Sequence, residues 1–160
     1  MMEINELIER YAGERSKEVR GIFASIFILQ NRLQTLFDNV NPELTLKQFM
    51  LIAMIKQAGE KTTFTHLGKL LGSSRQNVKK LATSLEEKGF LTIELEAENK
   101  RNTSLVLTEK AAIYTRDIAA LHEENLGELF QDYSAEEIHL FYQLMMKLYA
   151  GVAEAEQKMN

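Results

Sequence analysis

The stretch Gly72 to Phe90, GSSRQNVKKLATSLEEKGF, constrains the chain most, because it reads as one complete, bounded helix with two unlike faces. Ser74 is placed to act as N-cap, its hydroxyl accepting from backbone N–H groups two or three residues on that a helix leaves unpaired. Gly89 supplies the stop: a glycine there takes the left-handed conformation of a C-terminal cap, and Phe90 beyond it folds back on Leu85. At about 3.6 residues per turn, Val78, Leu81, Ala82 and Leu85 share one stripe, and Gln76, Lys79, Lys80 and Thr83 share the opposite one. The second stripe carries no acid between Ser73 and Ser84, and its amides and cations are donors of the kind that meet phosphates and base edges in a major groove.

A second helix fits just before it. Thr63 caps a segment whose Phe64, Leu67, Leu70 and Leu71 are expected to face inward, and the Gly72–Ser73 corner is short enough for a helix-turn-helix. An ordinary amphipathic helix hairpin fits the same residues, so the residues beyond Phe90 decide between the two. Leu91, Ile93 and Leu95 alternate with Thr92, Glu94 and Glu96, the period of a half-buried strand. Ala97 to Asn102 reads as a polar turn, and Thr103 to Leu107 as a second strand with Leu105 and Leu107 on one face. A helix-turn-helix followed directly by a β-hairpin is a winged helix, here with Lys100 and Arg101 at the wing tip.

With these residues in view, the chain resembles the MarR family of bacterial transcription regulators. The likeness runs from LTLKQFMLI (Leu44 to Ile52) through LGKLLGSSRQNVKKLATSLEEKGFL to NKRNTSLVLTEKA, roughly the central 70 residues, in the family's order and spacing. The family's wing usually shows Asp-x-Arg where this chain has Asn99-Lys100-Arg101: the arginine stays, and the acid that orients it is gone. The resemblance implies a dimer of winged helices that binds a near-palindromic double-stranded DNA operator as a ligand-responsive repressor. The candidate DNA contacts are then Ser73, Ser74, Arg75, Gln76, Asn77, Lys79, Lys80 and Thr83, with Asn99, Lys100 and Arg101 at the wing.

Either side of this region the chain reads as helix. Met2 to Val40 places Val19, Ile22, Phe23, Ile26, Leu29, Leu33, Leu36 and Phe37 at helical spacing, with Gly13 as a break between a short arm and a longer body. Pro42 and Asn41 form a turn. Thr45 and Gln48 then have capping-box spacing at the head of a helix that Leu46, Phe49, Met50, Ile52, Ala53 and Ile55 make apolar on most sides, which suits an enclosed position. Ala58 to Thr62 is an exit loop with room for a short third strand of the wing sheet. Thr108 caps a helix running toward Phe130. Ser134 with Glu137 opens another, whose Ile138, Phe141, Met145, Leu148 and Val152 step by threes and fours as a packing seam.

The terminal helices carry more apolar stripe than a small winged domain covers, and large exposed apolar patches mark interfaces. A second copy of the chain is the simplest partner, since it sets two recognition helices about 34 Å apart on successive major grooves. The alternative is a monomer whose termini close over their own domain. The expected architecture is mainly α with a small β-wing: a winged helix-turn-helix region over residues 44–108, flanked by dimerisation helices over 1–40 and 109–160, in one compact unit.

Composition narrows the function. Over 160 residues, 45% hydrophobic and 26% charged, the chain suits one soluble domain. With 23 acidic against 19 basic residues and a formal charge of −4, any DNA affinity must come from local clustering. The absence of cysteine excludes disulfides, thiolate metal sites and thiol redox sensing. The longest apolar run, Gly21 to Leu29, is far short of the ~20 residues of a membrane helix, and no small-residue cleavage site follows it, so a cytoplasmic protein with no membrane partner is expected.

His66, His122 and His139 are the metal-ligand candidates, but no His-x-x-x-His pair completes a set, so no metal is expected. No nucleophile elbow, glycine-rich phosphate loop or zinc-protease helix is present, and Glu86-Glu87 and Glu123-Glu124 read as solvated helix faces; no catalytic residue, cofactor or enzymatic activity is expected. Phe23, Phe27, Phe37, Phe49 and Tyr114 could line a pocket for a small apolar effector, yet aromatics at helical spacing serve equally as core, and the effector stays unassigned. A second function remains open: a winged-helix module that binds protein, as antirepressor or assembly adaptor. Glu94, Glu96 and Glu98 along the wing favour it, because they repel phosphate wherever they face it.

Overall fold

The computed structural model describes residues 4–41, 43–59, 62–95 and 103–159. It divides between Ala112 and Ile113 into two compact units. The first holds α1 (Ile4–Glu9), α2 (Arg15–Val40), α3 (Leu46–Ala58), α4 (Phe64–Leu71), α5 (Arg75–Glu87), β1 (Leu91–Leu95), β2 (Thr103–Leu107) and the start of α6 (Glu109–Leu129). The second holds the rest of α6 and α7 (Ala135–Met159). The architecture is mainly helical with a small antiparallel wing, as the sequence implies.

Local signals set the helix ends. Gly13 breaks α1 from α2 with φ +88, and its N–H donates to Glu18 Oε1 at 3.1 Å. Thr63 Oγ1 accepts from His66 N at 3.1 Å, Ser74 Oγ from Asn77 N at 3.2 Å, and Thr45 with Gln48 forms a reciprocal capping box on α3. Ser134 and Glu137 do the same for α7. α5 stops at Gly89, φ +76, where Phe90 N donates to Leu85 O at 2.8 Å and Gly89 N to Glu86 O at 2.9 Å. That pair of bonds is a Schellman cap.

The core of the first unit is one cluster: Leu51, Ile52 and Ile55 from α3, Leu67 from α4, Val78, Ala82 and Leu85 from α5, with Phe90, Leu91 and Leu105 from the wing side. Burying each of its larger side chains contributes about 1.5–3 kcal/mol. In the wing, Leu91 opposes Leu107 and Ile93 opposes Leu105; Leu91 and Leu105 are buried, while Thr92 and Glu94 are exposed.

Two expectations need correction. Leu70 does not face inward: it is 51% exposed. On a helix of eight residues, steps of about 100° bring Phe64, Leu67, Gly68 and Leu71 together and leave Leu70 roughly a quarter-turn away. On α3, Met50 is exposed and Leu51 fully buried, because a helix apolar on most sides has no periodicity to choose its inner face. The sheet has two strands among the described residues; of the segment with room for a third, Glu60 and Lys61 lie outside the described residues. At the outer edge of β1, Ile93 N donates to Glu86 Oε1 at 2.7 Å, so a side chain of α5 satisfies an edge-strand donor.

Candidate nucleic-acid interface

The helix-turn-helix corner rests on two glycines. Gly72, at φ +60, ends α4 in the left-handed conformation, and Ser73 N donates to Gly68 O at 2.8 Å. Gly68 lies so close under the corner that an added Cβ would stand 2.7 Å from Ser73 O. This packing fixes where α5 begins, and the apolar stripe of Val78, Ala82 and Leu85 fixes which way it faces.

Gln76, Lys79, Lys80 and Thr83 are all exposed and line one open groove along α5, as their spacing predicts. Arg75 and Asn77 are exposed on its flanks. Ser73 is half-buried at the corner, and the Ser74 hydroxyl is engaged as the cap. Ser84 and Glu87 line the same groove, and neither is among the residues expected from the sequence. Extending the polar stripe by one more turn from Thr83 reaches Glu87, so the groove ends on an acid. Asn99, Lys100 and Arg101 lie outside the described residues, as do Glu96 and Glu98.

In the second unit no residue of α7 is buried. Ile138, Phe141, Leu148 and Val152, four of the five seam residues, are exposed, and Met145 is half-buried. The apolar face is also wider than that seam: Leu140, Tyr142, Leu144 and Tyr149 are exposed too. At about 100° per residue these positions cover more than half of the helix circumference. A helix apolar over so wide an arc is suited to burial on several sides. On α2, Val19, Ile22, Phe23, Ile26 and Phe27 are likewise exposed.

Of the aromatic residues considered for an effector pocket, the three on α2 do not converge. Phe23 and Phe27 meet edge to face on the exposed stripe of α2, with ring centroids 5.1 Å apart, whereas Phe37 is buried about 15 Å further along the same helix. His66 is exposed, His139 meets Gln143 at 2.8 Å, and burial pushes the His122 imidazole below the ordinary histidine range. Among the described residues no group of three His, Cys, Asp or Glu side chains could hold a metal ion, and no helix is long and apolar enough to cross a membrane.

A helix-turn-helix whose second helix ends in a β-hairpin, with a cationic and amide-bearing outer face, defines a winged helix-turn-helix protein. Residues 43–102 match the family model described as MarR family. The fold is similar to that of a MarR/EmrR family transcriptional regulator from Acinetobacter sp. ADP1, at 20% identity and TM-score 0.75, over 84% of this chain and 96% of that one. It is similar to a MarR protein from Peptoclostridium difficile DA00132, at 16% identity and TM-score 0.73, over 93% and 95%. MepR of S. aureus, solved as a complex with DNA, matches at 18% identity and TM-score 0.71, over 81% and 97%. Over residues 43–102 the chain is similar to the MarR family, and the solved structures share its fold.

Proposed function

We propose that the chain is a dimeric, sequence-specific, double-stranded DNA-binding transcription regulator, a repressor whose occupancy of a near-palindromic operator is lowered by a small ligand. The observation that carries this reading is the α5 groove, where Gln76, Lys79, Lys80 and Thr83 stand exposed opposite a fully buried stripe. Lysines there neutralise phosphates, and the amide reads base edges. The MepR complex with DNA is consistent with it. Ile138, Phe141, Met145, Leu148 and Val152 bury against a second copy and hold two α5 helices at the spacing of successive grooves. A ligand that binds more tightly to a dimer with the wrong spacing lowers occupancy by its differential affinity and no more.

Lys79→Ala and Lys80→Ala are expected to weaken operator binding while the unfolding midpoint stays put, since both side chains lie opposite the core. The slope of log affinity on log salt should become shallower by about 0.9 for each phosphate that the variant no longer neutralises. Gln76→Ala should instead relax sequence preference. Titrations of a duplex selected by the parent protein at several salt concentrations check this, and unchanged affinity in all three variants would remove α5 from DNA reading.

At the wing, Arg101 is proposed to enter the minor groove, with Asn99 a weaker orienting partner than an aspartate. Asn99→Asp should tighten binding by ~0.5–1 kcal/mol, the scale of an exposed ion pair. Arg101→Ala should weaken binding more in that background than in the parent. A double-mutant cycle at fixed salt tests the coupling; simple additivity makes Asn99 a solvated turn residue. Exposed Glu94 on β1 and Glu87 in the groove favour the second reading, a module that docks on protein, and that reading takes over if no duplex is bound.

A further inference from the structure

Gln48 is 6% exposed in the first turn of α3. A buried amide must satisfy both its oxygen and its nitrogen. The oxygen serves the capping box, accepting from Thr45 N at 3.1 Å while Thr45 Oγ1 accepts from Gln48 N at 3.3 Å. A cap needs that oxygen alone, and glutamate supplies it equally well. The nitrogen has a different use: Nε2 donates to Ser84 Oγ on α5 at 3.0 Å. One turn on, Lys88 Nζ donates to Gln48 Oε1 at 3.2 Å and to Glu43 O at 2.7 Å. The head of α3 therefore grips the last turn of α5 at two points, and Ser84 itself lines the groove with Lys80 and Thr83.

Apolar contact sets how close two helices lie but is non-directional, so the stripe of Val78, Ala82 and Leu85 leaves α5 some freedom to roll and slide. A hydrogen bond has a preferred direction and removes that freedom. Reading groups lose their value when displaced by as little as about 0.5 Å. We propose that Gln48 is a positioning residue for nucleic-acid recognition, holding α5 in register through Ser84. The proposal rests on α5 being the reading helix.

The probe is a duplex selected from a random-sequence pool by the parent protein. Ser84→Ala and Gln48→Met should each raise the dissociation constant roughly tenfold, the upper scale of one hydrogen bond. The double variant should lose no more than the larger single loss, because both changes remove the same bond. Gln48→Glu should keep parental affinity, its carboxylate retaining the cap and accepting from the Ser84 hydroxyl. Thr45→Ala removes the other half of the cap; it should lower the unfolding midpoint yet change affinity less than about twofold. If Ser84→Ala binds as the parent does, or if affinity in Thr45→Ala falls in step with stability, Gln48 is a cap and nothing more. Should Gln48→Met fail to fold, Ser84→Ala against Thr45→Ala decides alone. If the parent selects no duplex, or Lys79→Ala and Lys80→Ala bind as tightly as the parent, the reading of α5 falls first and this proposal with it.

Discussion

Leu148→Glu is expected to convert a dimer into a folded monomer. Leucine and glutamate have nearly the same helix propensity, and Leu148 is 41% exposed within its own chain, so the charge stays solvated and α7 keeps its helix. In the proposed dimer the seam is covered, and a two-fold axis enters the change twice. Each unpaired buried carboxylate costs about 3–5 kcal/mol, so the pair costs about 6 kcal/mol or more, roughly 10⁴-fold in dimer dissociation. Gln143→Glu is the control: it makes the same charge change on the polar stripe of α7, where Gln143 meets His139, and should leave the dimer intact. Sedimentation equilibrium with circular dichroism separates the outcomes. A Leu148→Glu protein as dimeric as the parent moves the interface elsewhere, and loss of helix along with the dimer shows that Leu148 supports its own chain's fold.

The parts of the fold that are legible in the sequence are those whose physics is local. Ser74, Thr63 and Thr45 each cap a helix through a backbone group three residues on, and Gly89 with Phe90 closes α5 within one turn, so residue type and spacing carry the whole signal. Alternation places both wing strands for the same reason. What escapes depends on partners distant in sequence. The Gln48 amide meets Ser84 across 36 positions, and Lys110 joins Glu43 at 3.0 Å while its ammonium sits 4.2 Å from the centroid of the Phe90 ring. No local pattern marks either. On α7 the step of threes and fours names five residues, yet the apolar arc includes Tyr142 and Tyr149, which a two-position seam leaves out. Periodicity finds the centre of such a face and misses its width. The candidate site shows the same division: spacing brings Gln76, Lys79, Lys80 and Thr83 together, while Glu87, which reads in sequence as a solvated acid, shares their groove.

Gly68→Ala is expected to destabilise the protein although it replaces a glycine within a helix. Propensity alone argues the opposite, since alanine is better than glycine in a helix interior by about 1 kcal/mol. Against that stands the contact: the new methyl would lie 2.7 Å from Ser73 O, a backbone carbonyl that cannot swing away as a flexible side chain does. Ser73 N is bonded to Gly68 O and the next residue caps α5, so relief requires moving the corner and the start of α5 together. Overpacking of this kind costs about 1–3 kcal/mol. The cap is also put at risk, at about 1 kcal/mol. The sum, about 2–4 kcal/mol, outweighs the propensity gain and leaves a net loss of about 1–3 kcal/mol. Gly127→Ala is the matched comparison, because nothing lies within 4 Å of a Cβ added there on α6; it should hold or raise the unfolding midpoint. Operator affinity should fall in Gly68→Ala beyond what its stability explains, because α5 is displaced at its first turn, where Gln76 and Lys79 begin the groove. Thermal unfolding and duplex titration on the two variants decide the matter. A Gly68→Ala protein as stable as the parent would show that the corner relaxes around the methyl, and full operator affinity would show that α5 keeps its place when it does.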